Sequence, residues 1–187
     1  SAVYPVLRAM EEAGRVRRGY FVEGLGAAQF ANPSIAERLR SCREPSDEPA
    51  TLVLSALDPA NLYGTLLPWP ARSAQDRLMR ASGSHVVLDD GALAAYVARG
   101  AQSVICFPPE DAREGRAFAE RLARTLARWS METRHEPMHL KLLNGEDAAK
   151  SALAEGFVAG GFVRSGTGLL LRSESRRGPL SSPRLSD

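Results

Sequence analysis

Lysine is nearly missing from this sequence. Lys141 and Lys150 stand alone, and arginine supplies the rest of its 24 basic residues. The planar guanidinium suits two-pronged contacts with anions, although a bias in base composition would produce the same pattern. The net charge of only +2 excludes a chain that is basic all over, so any nucleic-acid footprint has to be local. Cysteine is scarce too: Cys42 and Cys106 lie far apart and form no metal or redox spacing, as expected of a reducing, cytoplasmic setting. No apolar run approaches membrane-spanning length and no signal peptide is visible, so no membrane partner is expected. The pattern G-x-x-x-x-G-K-[ST] is absent, which leaves no phosphate loop for an ATPase, and neither a G-x-S-x-G elbow nor a Cys/His cluster occurs. The first residue is Ser1 rather than Met, and the expectation is a region cut from a longer polypeptide.

What is present reads as a globular chain. With 187 residues, 44% hydrophobic and 25% charged, it has room for one domain or two small ones around a real core. "YPVLRAMEEAG" puts Val6, Leu7 and Met10 on one helical face, and Gly14 stops the helix. "RVRRGYFVEG" alternates, with Val16, Arg18, Tyr20 and Val22 on one side, and reads as a strand or short hairpin. Helix, glycine and basic strand pair make the ending of a winged-helix unit. A second helix, "NPSIAERLR", follows with Asn32 as N-cap and Pro33 at its first position.

Beyond the polar "SCREPSDEP" linker the composition shifts to strands. "TLVLS" is apolar and runs into an Asp-Pro and Tyr-Gly loop. "SHVVLDDGALAAYVARGAQSVICF" reads as three strands turned at Asp90-Gly91 and Gly100. Such spacing predicts a small antiparallel sheet or barrel. "EDAREGRAFAERLARTLARW" is the clearest helix, with Phe118, Leu122, Leu126 and Trp129 in one stripe. "MHLKLL" is expected as a strand turned by Asn144-Gly145, "DAAKSALAEG" as a helix closed by Gly156, and "GLLLR" as a last strand. The expected class is therefore α+β: the end of a winged helix over residues 1–44, an antiparallel, barrel-like β-rich module with an appended α/β segment over 45–172, and a flexible tail over 173–187.

Several motifs compete for a chemical role. Gly24-x-Gly26 resembles the start of a dinucleotide fingerprint, but Gln29 stands where Gly or Ala is needed and no acidic residue follows at a strand end, so the glycines read as turn chemistry. "HEPMH" matches H-E-x-x-H in letters, from His135 to His139. Pro137 forces the preceding Glu136 out of the helical region, and His85 sits in another strand, so a zinc site is rejected. Asp58 in "LDPAN" could be a catalytic carboxylate facing a cleft, although an aspartate before proline more commonly caps a turn. The basic set Arg15, Arg17 and Arg18, interleaved with Tyr20 and Phe21, could lie along a phosphate backbone with its aromatics stacked on bases. Arg72, Arg77 and Arg80 form a second cluster. A charged strand edge protected against pairing would look the same.

Three segments together resemble one family. "GRVRRGYFVEGLGAAQFA", "LSALDPANLYGTLLPWP" and "VVLDDGALAAYVARGAQSVICF" are similar to the C-terminal part of the large helicase-related (Lhr) ATP-dependent DNA helicases, and "LAEGFVAGGFVRSGTGLLLR" resembles the end of those chains. The resemblance implies an upstream superfamily 2 motor in the same polypeptide, with ATP and Mg²⁺ acting there and no cofactor in this chain. It implies DNA as a partner and DNA repair as the setting. It also brings in base excision, since this region of the family is similar to winged-helix DNA glycosylases. Three functions are thus in competition: a DNA-gripping accessory region, a uracil-type glycosylase using Asp58, and a structural domain that assembles with copies of itself.

Overall fold

The computed structural model describes residues 2–42, 50–70, 78–109 and 112–171. It divides into two compact units, Ser1–Leu93 and Ala94–Asp187. The expected linker core and the tail over 173–187 lie outside the described residues.

The first unit opens on helix α1 (Val3–Glu12). Gly14, at φ +71, ends it in a left-handed turn: its amide donates to the Glu11 carbonyl and that of Arg15 to the Met10 carbonyl, the paired bonds of a Schellman cap. Strand β1 (Arg17–Gly19) pairs antiparallel with β2 (Gln29–Ala31), Arg18 opposite Phe30. The wing is thus wider than the sequence pattern implied. Its second strand is not inside "RVRRGYFVEG" but lies beyond the glycines, where a plain lead-in to the next helix was expected. Helix α2 (Pro33–Ser41) starts as predicted, with the Asn32 carboxamide accepting from the Ser34 amide at 3.0 Å. Tyr4 of α1 meets Phe30 of β2 edge to face, ring centroids 6.0 Å apart.

Further along this unit, β3 (Thr51–Ser55) pairs antiparallel with β4 (His85–Asp89), and Thr51 Oγ1 donates to Asp89 at 3.1 Å. Between them, residues 57–70 form an ordered loop. Buried Asn61 donates to the Ala56 carbonyl and accepts from the Tyr63 amide. Tyr63 stacks on Trp69 at 6.2 Å, and Gly64 (φ +77) has no room for a Cβ against the Trp69 ring.

Strand β5 (Ala92–Val97) carries the chain into the second unit, where it pairs antiparallel with β6 (Ser103–Cys106). Helix α3 (Ala112–Trp129) follows, burying Phe118, Leu122, Leu126 and Trp129 as the apolar stripe predicted. A π-turn, Ser130–Arg134, ends it. "MHLKLL" is not one strand but two: β7 (His139–Leu140) joins one sheet, and β8 (Leu142–Leu143) joins another, parallel to β6 and antiparallel to β9 (Glu146–Asp147). Asn144 and Gly145, both at positive φ, make the two-residue β8–β9 turn as expected. The expected helix over "DAAKSALAEG" starts later, as α4 (Ala154–Ala159), and Gly156 lies inside it rather than closing it. The reason is packing: a Cβ on Gly156 or Gly160 would strike Ala119 or Ala123 of α3, so glycine lets the two backbones approach. Strands β10 (Phe162–Ser165) and β11 (Gly168–Leu171) complete a sheet of order β10-β11-β7.

The barrel expectation is corrected: no sheet among the described residues closes on itself. After β6 the chain runs through α3 before β8 pairs parallel to β6. A crossover of this kind layers a helix against an open sheet, whereas closure needs strands long enough to tilt around an axis. Here β8 and β9 have two residues each.

Candidate nucleic-acid interface

A groove of about 440 Å³ runs between the end of β1 and helix α2. Arg17, Arg18, Gly19, Tyr20 and Phe21 line one side, and Ala36, Leu39 and Arg40 the other. Local sequence explains both walls. Asn32 and Pro33 set the start of α2, and the four-residue spacing of Ala36 and Arg40 puts them on one helical face. Across the groove, the Gln29 side chain ties down the wing loop with four bonds. Its Oε1 accepts from the Phe21 and Val22 amides, both at 2.8 Å, and its Nε2 donates to the Val22 and Leu25 carbonyls. The residue that disqualified the dinucleotide fingerprint is therefore the pin that holds the chain leaving β1.

The arginines are paired at the surface. Arg17 Nη1 donates to Glu37 Oε1 at 3.1 Å, and Arg40 Nη1 reaches the same oxygen at 2.6 Å. Arg18 lies 3.5 Å from Glu11. More than half of each of these three arginine side chains is exposed, so the ion pairs are solvent-screened and weak. Tyr20 is 86% exposed. The structure thus gathers Arg17, Arg18 and Tyr20 in one groove. Arg15 is exposed and precedes β1, outside the groove lining. Sequence reasoning missed Arg40, although its i+4 relation to Ala36 was a usable signal.

The second basic cluster has a different fate. Arg72 and Arg77 lie outside the described residues. The Arg80 guanidinium turns inward and donates to the carbonyls of Leu57, Asp58, Asn61 and Tyr63, so it clamps the loop carrying Asp58. Asp58 itself accepts from the Ala60 amide at 2.8 Å, a turn-capping bond. In "HEPMH", His135 adopts a left-handed conformation at the end of the π-turn and contacts the Met131 carbonyl, while His139 lies on β7 and meets Thr167. The two imidazoles have separate partners on separate elements. Among the described residues, no group of three or more His, Cys, Asp or Glu could hold a metal ion, and no helix is long and apolar enough to cross a membrane.

The α1–wing–α2 arrangement defines a winged-helix class of module. Residues 1–51 match the family model described as the winged-helix domain of the large helicase-related protein. A protein of Mycolicibacterium smegmatis named Lhr helicase/probable uracil glycosylase is 37% identical over 183 residues, which is 92% of this chain and 12% of that protein. One of Escherichia coli named Lhr helicase/uracil glycosylase is 41% identical over 107 residues, 56% of this chain and 7% of that protein. The chain belongs to the large helicase-related (Lhr) family, as a C-terminal region of it. It spans only a small fraction of the length of these relatives.

Proposed function

We propose that this region grips DNA for a helicase motor carried elsewhere in the same polypeptide, in the setting of DNA repair. The observation that carries the reading is the groove beside the wing, which Arg17, Arg18 and Arg40 line together with an exposed Tyr20. Guanidinium groups at an open, solvated edge contact phosphates without reading sequence, and Arg15 extends the set along the chain. ATP and Mg²⁺ act at the motor, and this region takes no cofactor. The relatives' names support the helicase context, since both contain "Lhr helicase". They also contain "uracil glycosylase", but Asp58 is engaged in its own turn, and gripping is the reading that the groove favours.

The test replaces Arg15, Arg17 and Arg18 together with Ala and measures DNA affinity across a salt series. For every arginine–phosphate pair removed, the slope of log affinity against log salt should flatten by about one. Unchanged affinity and slope would remove the wing from DNA binding.

A further inference from the structure

We infer that the wing groove holds one unpaired nucleotide, its base stacked on Tyr20 and a phosphate seated where the Glu37 carboxylate now lies. This rests on the gripping reading above and adds to it a preference for single strands. Three observations carry it. The first is the position of Glu37: one carboxylate oxygen bridges Arg17 of the wing and Arg40 of α2, so two elements already converge on a single anion. Its side chain is 59% exposed, and the pairing is of the weak, solvated kind that leaves both arginines open to exchange the carboxylate for a backbone phosphate.

The second is Tyr20, whose ring stands in solvent and which lines the same groove as Arg17 and Arg40. An exposed aromatic face beside cations suits a nucleobase, because every base has a π-face. In a duplex those faces are covered by neighbouring base pairs, and only an unpaired base can offer one. The third is the groove itself. At about 440 Å³ it falls within the range of small-ligand pockets, roughly 300–1,000 Å³. Its lining includes Gly19, Ala36 and Leu39. Apolar and small residues there would face a base, whereas a run of duplex phosphates would gain nothing from them.

The experiment measures binding of the 187-residue chain to a labelled oligo(dT) strand and to a duplex of the same length. Tyr20→Ala should weaken single-strand binding at least about five-fold and leave duplex binding within about two-fold, while Tyr20→Phe keeps both. Glu37→Gln should tighten both by about two-fold or more, since it removes the competing charge. All three variants change solvent-exposed side chains, so the fold should survive, and circular dichroism checks this. Equal losses on the two substrates, no loss, or a Phe variant as weak as Ala would overturn the stacking, and weaker binding by Glu37→Gln would overturn the phosphate seat. If the triple arginine variant alters neither substrate, the gripping reading fails and this inference with it. If that variant weakens both while Tyr20→Ala weakens neither, only the nucleotide site fails.

Discussion

Tyr20 and Phe157 are both aromatic residues, and the contrast between them separates two regions of the molecule. Around Tyr20, helices α1 and α2 together bury a single residue, Ala36, and the wing presents its arginines and the Tyr20 ring to solvent. Around Phe157, a cluster of large apolar side chains is turned inward. Phe157 meets Phe162 edge to face at 5.5 Å, and Leu126, Met138, Leu140, Leu143 and Leu169 are fully buried. The lesson is a division of labour by burial: the second region builds a core from apolar side chains, whereas the wing is held by hydrogen bonds and leaves its side chains available to a partner.

The sharpest way to break this contrast is to truncate both rings. Phe157→Ala should cost about 4 kcal/mol, the transfer free energy of the ring plus the cavity it leaves. Tyr20→Ala should change stability by less than about 0.5 kcal/mol, as for ordinary surface positions. Chemical denaturation of the two variants measures the difference. A large destabilisation by Tyr20→Ala would mean that its ring is structural, and the division would collapse.

Two arginines repeat the comparison at smaller scale. Arg80 serves four backbone carbonyls of one loop, while Arg17 meets one exposed carboxylate. Removing the Arg80 side chain leaves those carbonyls short of a charged donor, and Arg80→Ala should destabilise by about 2 kcal/mol. Arg17→Ala should cost under about 1 kcal/mol, the usual worth of a surface ion pair. Thermal unfolding of both variants checks the order. If Arg17→Ala proved the costlier, the wing arginines would be scaffolding.

The same distinction explains what was legible in the sequence. Local signals read well: the Gly14 stop, the Asn32-Pro33 helix start, the stripe on α3 and the Asn144-Gly145 turn all act within a few residues. Long-range relations did not. The partner of β1 lies at Gln29–Ala31, across a loop whose closure leaves no periodic trace. Gly156 looked like a helix stop because glycine commonly is one, and only the facing Ala119 shows that it is a point of close approach. The split of "MHLKLL" between two sheets likewise depends on what each half pairs with. For the groove, composition pointed to Arg17, Arg18 and Tyr20, but the opposite wall, Ala36, Leu39 and Arg40, comes from a separate helix that tertiary packing brings near. Arg80 was grouped by charge with Arg72 and Arg77, and nothing local marks a guanidinium that will turn inward.

Gln29 tests the claim that hydrogen bonds, rather than a core, hold the wing. Its carboxamide accepts twice and donates twice, to backbone groups on both sides of the loop leaving β1. Gln29→Ala removes all four bonds, but the loop is only partly buried, so water replaces them in part and the net destabilisation should be about 1 kcal/mol. Gln29→Glu is the finer probe. A carboxylate can still accept from the Phe21 and Val22 amides, but it cannot donate to the Val22 and Leu25 carbonyls and would repel them. Amide hydrogen exchange should therefore quicken at Phe21 and Val22 in the Ala variant and stay slower in the Glu variant, with the core amides of β5 and β6 unchanged in both. Unchanged exchange at Phe21 and Val22 in the Ala variant would show that the wing keeps its shape by other means. Its contrast with the second region would then rest on exposure alone.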